Sequence, residues 1–113
     1  MALPLNKFRL LTTTLASGSN TIYQENIDVA TIILSCQITN VNTSSIQYCD
    51  VAIQKSGSAS QITLLRNGVI PIYESLNPLA GKIVLEKNDA FVIKTSVSGS
   101  LDVVLSVLEN AIN

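Results

Sequence analysis

Apolar and polar residues alternate along much of this chain, most clearly within residues 82–109. The positions that share one face there are Phe91, Ile93, Thr95, Val97, Leu101, Val103, Leu105 and Val107. A short turn of Ser98, Gly99 and Ser100 divides this series in two. Because a period of two is typical of half-buried β-strands, the region predicts a β-hairpin.

The second strand of this predicted hairpin is apolar on both faces. Val104 and Leu108 lie on the face where a solvated strand would carry charged residues, so both faces are expected to be covered. Because a monomer has little use for a second apolar face, Val104 and Leu108 are predicted to contact other copies of the chain or another protein.

Short strands separated by turn signals account for the rest of the chain, and no segment has a sustained helical stripe. Asn67-Gly68 is expected to form a hairpin turn, and Pro71 to place the return arm at a sheet edge. The expected strands are residues 7–15, 21–24, 31–41, 46–55, 61–66, 69–73 and 82–85. The predicted inward face of the 31–41 strand is Ile32, Leu34, Cys36 and Ile38.

Together with the final hairpin, these extended segments predict an all-β chain in which about seven or eight of them are strands of the fold. The fold class that they favour is a single-domain antiparallel β-sandwich, of which the jelly roll is one form. A length of 113 residues suits one domain with one core. Residues 1–113 are therefore expected to be one domain, with residues 1–20 as a candidate N-terminal arm.

Composition points away from nucleic acid and from membranes. Charged residues are 13% of the chain, about half of the usual share of about 25%. The formal net charge is −1 and no basic cluster is present, so the electrostatic footprint of a nucleic-acid partner is missing. No apolar run approaches the length of about 18–20 residues that spans a bilayer. Residues 1–5 lack the features of a secretory signal, so synthesis in the cytoplasm is expected.

Residues that carry chemistry are scarce, so we expect no enzyme, and no catalytic, cofactor-binding or metal site. The chain has no histidine, which is the commonest general base and metal ligand. Its eight carboxylates are scattered singly through turns and outward positions, whereas a glycosidase needs two that meet. The glycine-containing loops lack phosphate-binding spacing.

Cys36 and Cys49 fall on opposite arms of a predicted hairpin, where folding about the loop pairs position 36 with 49. Directly opposed strand positions have Cβ atoms about 4.5–5.5 Å apart, so a disulfide is geometrically conceivable. In a reducing compartment, two buried free thiols that pack as small apolar side chains are the favoured interpretation.

Three further residues are candidates for a protein interface beside Val104 and Leu108. Phe8 is one of five dispersed aromatic residues, for which core or interface packing is expected. Arg9 and Arg66 are the only arginines, and they are either interface anchors or ordinary surface residues that aid solubility.

Two segments of the chain carry a resemblance to known proteins. They are Met1-Ala2-Leu3-Pro4-Leu5-Asn6-Lys7-Phe8 and Leu79-Ala80-Gly81-Lys82-Ile83-Val84-Leu85-Glu86, the latter followed by Leu105-Ser106-Val107-Leu108-Glu109. These segments resemble a family of small virion structural proteins of tailed phages, particularly contractile-tailed phages of marine cyanobacteria. The likeness covers nearly the whole chain, and its motifs are structural. The sequence departs from the family pattern at Lys87-Asn88-Asp89, where a glycine-containing turn is common, and in its two cysteines.

The resemblance implies a virion protein that is made in the host cytoplasm and needs no cofactor. Its expected role is capsid decoration, with other virion proteins such as the major capsid protein as partners. Self-association into a trimer or ring is also expected, since an edge strand can pair with that of a neighbour. The alternatives are a neck, tail or fibre-attachment subunit and a carbohydrate-binding β-sandwich adhesin, although the shortage of aromatic residues weighs against the adhesin.

Overall fold

The computed structural model of the protein describes residues 5–24, 29–56 and 60–111. Nine strands occupy most of these residues. They are β1 (Leu5–Thr14), β2 (Gly18–Gln24), β3 (Val29–Asn40), β4 (Gln47–Gln54), β5 (Gln61–Ile70), β6 (Ser75–Leu76), β7 (Ile83–Leu85), β8 (Ala90–Thr95) and β9 (Leu101–Ala111).

The strands form two antiparallel sheets, which we call sheet I and sheet II. Sheet I has the order β1-β9-β3-β6, with β7 also paired to β3, and sheet II has the order β2-β8-β4-β5. The strand pairs are nested, as in one long hairpin that has been rolled up. These pairs are β1 with β9, β2 with β8, β3 with β6, and β4 with β5. This is the topology of a jelly roll, so the predicted all-β sandwich is confirmed.

The core lies between the two sheets and is built from the alternate residues of their inner faces. The largest fully buried side chain is Phe91 on β8. Sheet II contributes Cys49, Val51, Ile53, Phe91 and Ile93, and sheet I contributes Ile33, Cys36, Ile38, Leu101, Val103, Leu105 and Val107. The predicted inward positions of β8 and β9 are buried from Phe91 to Thr95 and from Leu101 to Val107, whereas Val97 is exposed.

The two C-terminal strands do not form the predicted hairpin, because β8 belongs to sheet II and β9 to sheet I. The turn between them crosses from one sheet to the other. Gly99 has a positive φ of 80° there, and its N–H donates a hydrogen bond of 2.9 Å to the carbonyl oxygen of Leu15. Leu15 in turn donates its N–H to the carbonyl oxygen of Leu101 at 2.9 Å, which holds this crossing beside the one that joins β1 to β2.

The predicted hairpin turn at Asn67-Gly68 is also wrong, because β5 runs through both residues. Cys49 pairs with Gly68 and Val51 with Leu65, so one residue of β4 opposes two of β5 in a β-bulge. Asn67 takes the positive φ of 52° that the bulge requires. A Cβ atom at Gly68 would lie 2.5 Å from Cδ2 of Leu65, so a larger residue there would require the Leu65 side chain to move.

A second bulge, in the pairing of β3 with β9, changes which residues of β3 face the core. Ile33 pairs with Val107 but Ser35 pairs with Ser106, so Leu34 is the extra residue. Ile33 is fully buried and Ile32 and Leu34 are half-buried. The prediction that Ile32 and Leu34 point inward is therefore wrong, while that for Cys36 and Ile38 is confirmed.

The two cysteines are not cross-strand neighbours, since β3 lies in sheet I and β4 in sheet II. In register, Cys36 pairs with Leu105 and Cys49 with Gly68 and Thr95. Both thiols are free and buried, on the inner faces of opposite sheets.

Strand β1 forms one edge of sheet I. It pairs with β9 from Leu5 to Thr14 without a register shift. Most of the described part of the candidate arm is therefore in this sheet and in the start of β2. The division of the chain into one domain with an arm stays a prediction.

Candidate interaction surface

The outer face of sheet I carries apolar side chains on four adjacent strands. Phe8 on β1 pairs with Leu108 on β9, Leu108 with Ile32 on β3, and Ile32 with Val84 on β7. Directly opposed residues of a sheet point to the same face, so these four make a continuous row. We call the surface formed by this row and three neighbouring residues the outer patch. Its members are Phe8, Leu10, Ile32, Leu34, Val84, Val104 and Leu108.

Much of the outer patch is open to solvent. Phe8 is 72% exposed, Leu10 65%, Val84 61% and Val104 39%. A shallow depression of about 360 Å³, lined in part by Phe8, Leu10 and Leu34, lies within it. Water-exposed apolar area of this extent, on side chains as large as Phe and Leu, favours contact with another protein.

The outer face of sheet I is almost free of charge. On the described positions of β1, β9 and β3, Asp102 is the one charged side chain of this face, and it accepts a hydrogen bond of 2.7 Å from Oγ1 of Thr14. Thr12, Ser35, Gln37 and Ser106 fill the other positions around the patch. An uncharged polar rim around an apolar centre is the usual anatomy of a protein interface.

The structure brings together three of the five predicted interface residues. Val104, Leu108 and Phe8 share the outer patch, whereas Arg66 lies on β5 in the other sheet. Arg9 is on β1 but in register with Val107, a core residue, so it points to the opposite face from Phe8. Sequence reasoning missed Leu10, Val84 and the two β3 members. The spacing of Phe8 and Leu10, two residues apart on one strand, could have indicated that Leu10 shares the face of Phe8. The bulge in β3, which decides the faces of Ile32 and Leu34, has no comparable signal in the sequence.

Arg9 belongs to a polar cluster that joins the two sheets at one end of the sandwich. Its Nη1 atom lies 3.3 Å from Oε2 of Glu109 on β9. Tyr23, from sheet II, donates its hydroxyl to the same carboxylate and lies 3.1 Å from Oγ1 of Thr31 on β3. These contacts pair Arg9 with Glu109 of its own chain while its side chain stays 42% exposed, so a role for Arg9 at an interface stays a prediction.

The outer face of sheet II has a different character, because charged and polar side chains such as Asp50 and Lys94 lie beside its exposed apolar ones, Tyr48 and Val69. A cleft of about 400 Å³ is lined by Tyr48, Asp50, Asn67 and Lys94 among others. Oδ1 of Asp50 accepts a hydrogen bond of 2.7 Å from the N–H of Asn67, which closes the β5 bulge. Tyr48 is the single aromatic residue among those that line the cleft, fewer than a sugar-stacking platform would supply.

A buried carboxylate fastens two loops at the far end of sheet II. The side chain of Asp89 is 2% exposed and lies 2.7 Å from Nζ of Lys55. Its Oδ1 accepts the N–H of Ser56 and its Oδ2 that of Glu86, each at 3.0 Å. Burial acts to raise the pKa of Asp89, but the hydrogen bonds from Lys55 and the two backbone N–H groups outweigh it and hold the pKa below its ordinary value.

Replacing Asp89 with alanine is expected to lower the free energy of unfolding at pH 7 by about 2–4 kcal/mol, because two backbone N–H groups lose their acceptor. The folded pKa lies below the unfolded value of about 3.9, so the contribution is present above that pH and is lost as the pH falls below it. Urea unfolding at pH 7 and pH 3 measures this, with Glu74→Ala, an exposed carboxylate, as the matched control. Equal stability of Asp89→Ala and wild type at pH 7 would contradict it.

No group of three His, Cys, Asp or Glu side chains within residues 5–24, 29–56 and 60–111 is arranged to hold a metal ion. In the same ranges, no helix has the length and apolar character that crossing a bilayer requires.

No protein-family model matches the sequence, and no curated protein matches it significantly. Several solved structures share the fold. One is a chain of the disulfide-linked pili that form Bacillus endospore appendages, at 11% sequence identity and a TM-score of 0.60, with 97% of this chain and 89% of that chain covered. Another is a chain of the acid-stable capsid of Helicobacter pylori bacteriophage KHP30, at 10% identity and a TM-score of 0.54, with 96% and 94% covered.

A third structure is the Drosophila NLP core, which was solved for its pentamer formation and histone binding. It is 13% identical, with a TM-score of 0.51 and with 89% of this chain and 97% of that chain covered. At such low identity, these three likenesses establish the fold alone. The chain is thus a jelly-roll β-sandwich whose structural neighbours include one chain from a phage capsid and one from a pilus.

Proposed function

We propose that this protein is a non-enzymatic structural protein of a bacteriophage virion, which decorates and stabilises the capsid. The observation that carries the proposal is the outer patch, where Phe8, Leu10 and Val84 are each more than half exposed. The resemblance to tailed-phage virion proteins and the fold shared with a phage capsid chain and a pilus chain support it.

Burial of the outer patch against the capsid supplies the driving force. Removing apolar surface from water contributes about 25 cal/mol for each Å² buried, and the row from Phe8 to Val84 presents side chains on four strands at once. The uncharged rim keeps the cost of removing polar groups from water low. A subunit that binds only the assembled shell stabilises that shell by mass action.

The outer patch is equally suited to a place in the neck, tail or fibre attachment of the virion. The same assembly chemistry serves each position, so the partner decides between them. Fractionation of disrupted virions, with detection of this protein in the capsid or tail fraction, tests the position directly.

Val104→Asp and Leu108→Asp are expected to weaken binding to capsids by about a hundredfold or more, because each would bury an unpaired carboxylate in the contact. Binding is measured by co-sedimentation with capsids of the phage that encodes the protein, assembled without it. The matched control is Val69→Asp, since Val69 is 51% exposed and lies on β5 in sheet II.

Circular dichroism must show that all three variants keep the fold, which the exposure of Val104 and Val69 leads us to expect. Weakened capsid binding in all three variants would indicate a general effect of charge. Capsid binding at the wild-type level in both sheet I variants would overturn the role of the outer patch.

A further inference from the structure

Strand β1 presents an open edge that nothing in the described part of the chain covers. One side of β1 pairs with β9 along all ten residues from Leu5 to Thr14. Its other side has no strand partner within the described ranges, since β1 ends the order of sheet I. A row of unpaired N–H and C=O groups of this length is a ready template for another strand.

The other edge strands have features that oppose such pairing, namely register irregularities or short length, and β1 has neither. Strand β2 has a register irregularity between Thr21 and Tyr23, and β5 has two, one of them at the positive φ of Asn67. Strands β6 and β7 are only two and three residues long. Bulges and short strands are the usual means of blunting an edge, so β1 is the one described edge that is long, regular and open.

The side chains of β1 fit pairing with a second β1. Phe8 and Leu10 are exposed on the outer face, and the run from Thr12 to Thr14 is β-branched and suits a strand. Of the two charged residues on β1, Arg9 is already engaged by Glu109 of the same chain. The strand therefore has apolar and polar uncharged contacts to offer, with little charge to repel a copy of itself.

We propose that two copies of the chain pair antiparallel through β1, about a two-fold axis at Leu10. Antiparallel pairing about an axis perpendicular to the sheet keeps corresponding faces on the same side, so a residue must oppose one of the same face. An axis at Arg9 would set two like charges directly opposite each other, which is unfavourable. The axis at Leu10 pairs residues 6–14 of both copies and sets Leu10 against Leu10, and Phe8 against Thr12.

The pairing joins the two outer patches into one surface. Both copies of sheet I then belong to one continuous sheet, with Phe8, Leu10 and Val84 of each copy on the same face. This inference deepens the proposed function and rests on its premise that the protein acts by assembly. It also departs from the expected trimer, because a contact between a strand and itself closes at two copies, whereas odd rings need head-to-tail contacts.

The register is tested by cysteine cross-linking of the full chain. Leu10→Cys is expected to form a symmetric disulfide dimer under mild oxidation, because the two introduced thiols face each other across the axis. Phe8→Cys and Thr12→Cys should cross-link with each other when mixed, and far less when each is alone. Ile62→Cys, at an exposed position of the β5 edge, is the matched control. The native cysteines are buried and contribute little.

A charge at the axis gives a second, independent measurement. Leu10→Lys sets two ammonium groups opposite each other and is expected to raise the dimer dissociation constant by about tenfold or more. Light scattering after size-exclusion chromatography measures this shift from dimer to monomer, and circular dichroism checks the fold.

The proposal is overturned if Leu10→Cys cross-links no faster than Ile62→Cys, or if the wild-type mass is that of a monomer or trimer at all concentrations tested. Either result leaves capsid binding through the outer patch standing, because that is read from Val104→Asp. Because Leu10 also belongs to the outer patch, Leu10→Lys is read for dimerisation alone, and capsid binding is judged from Val104→Asp and Leu108→Asp.

Discussion

Cys36 and Cys49 of the folded protein are expected to react with Ellman's reagent at pH 8 hundreds of times more slowly than an exposed thiol. The two residues are 1% and 2% exposed, so the reagent has no direct access to either sulfur. Burial, and secondarily the charge of Cys49, raises the pKa of Cys36 to about 12. Burial, and secondarily the charge of Asp50, raises the pKa of Cys49 to about 11.

The size of the effect follows from the thiolate fraction, since the thiolate is the nucleophile. Relative to a thiol of pKa about 9, these values reduce the thiolate fraction at pH 8 about a thousandfold for Cys36 and about a hundredfold for Cys49. Lack of access lowers both rates further. Reaction is then expected to require opening of the sandwich, and its rate should follow the unfolding equilibrium.

The same pKa values predict that alkali destabilises the fold. Both folded pKa values lie above the unfolded one, so the unfolded chain releases its thiol protons at lower pH. The contribution of the thiols is fully present below the ordinary thiol pKa of about 9 and is lost as the pH rises towards about 11 for Cys49 and about 12 for Cys36. Urea unfolding of wild type and of Cys36→Ala between pH 8 and pH 10.5 isolates this part of the alkaline loss.

Two references calibrate the thiol measurement. The chain in concentrated urea should release two equivalents of chromophore per chain at the rate of free cysteine. Ile62→Cys should release one equivalent rapidly while folded, because Ile62 is 59% exposed. One or two rapidly reacting thiols in the folded wild type would show that this part of the core is open. No reaction even in urea would instead indicate that the cysteines are already oxidised.

Much of the strand content could be predicted from the sequence, because the period-2 pattern is local. The alternation from Leu101 to Val107 correctly predicted the inner face of β9, and the change from strand to loop near Asn40 was also visible. Which strands pair with which could not be predicted, since the pattern of one strand does not record its neighbour. Strands β8 and β9 follow each other with only a short turn between them, yet they lie in different sheets.

The β-bulges at Leu34 and at Asn67 explain most of the remaining errors. A shift of one residue in the pairing register exchanges the two faces of a strand. Because of the bulge at Leu34, Ile32 and Leu34 do not point into the core as the alternation had predicted. At Asn67-Gly68 the positive φ was foreseen, but it serves a bulge within β5 and not a turn. Both conformations use the same local residues, and only the pairing with β4 distinguishes them.

For a related reason, only part of the outer patch could be predicted from the sequence. Val104 and Leu108 were identified because β9 is apolar on both faces. Val84 lies in a strand of three residues, too short for a pattern to separate its faces. The patch exists as a unit only once the register brings β1, β9, β3 and β7 side by side, so it is a property of the tertiary structure.

Phe91→Ala is expected to lower the free energy of unfolding by about 3–5 kcal/mol, a large part of the total of about 5–15 kcal/mol typical of a domain. Phe91 has no exposed surface and is the largest fully buried side chain. It pairs in register with Tyr23 on one side and Ile53 on the other. Because β8 is hydrogen-bonded between two strands, the backbone is held in place and the cavity cannot collapse fully.

Phe8→Ala is the matched control, since it deletes the same atoms from a side chain that is 72% exposed. Its effect on the unfolding of the monomer is expected to stay within about 0.5 kcal/mol, as for most surface substitutions. Urea unfolding at concentrations where light scattering finds only monomer gives both values. Capsid binding should show the opposite order. Phe8→Ala should bind capsids more weakly than wild type, whereas the folded molecules of Phe91→Ala should bind them nearly as tightly as wild type. If Phe8→Ala cost as much stability as Phe91→Ala, the outer patch would be part of the core of the monomer and not a surface kept for assembly.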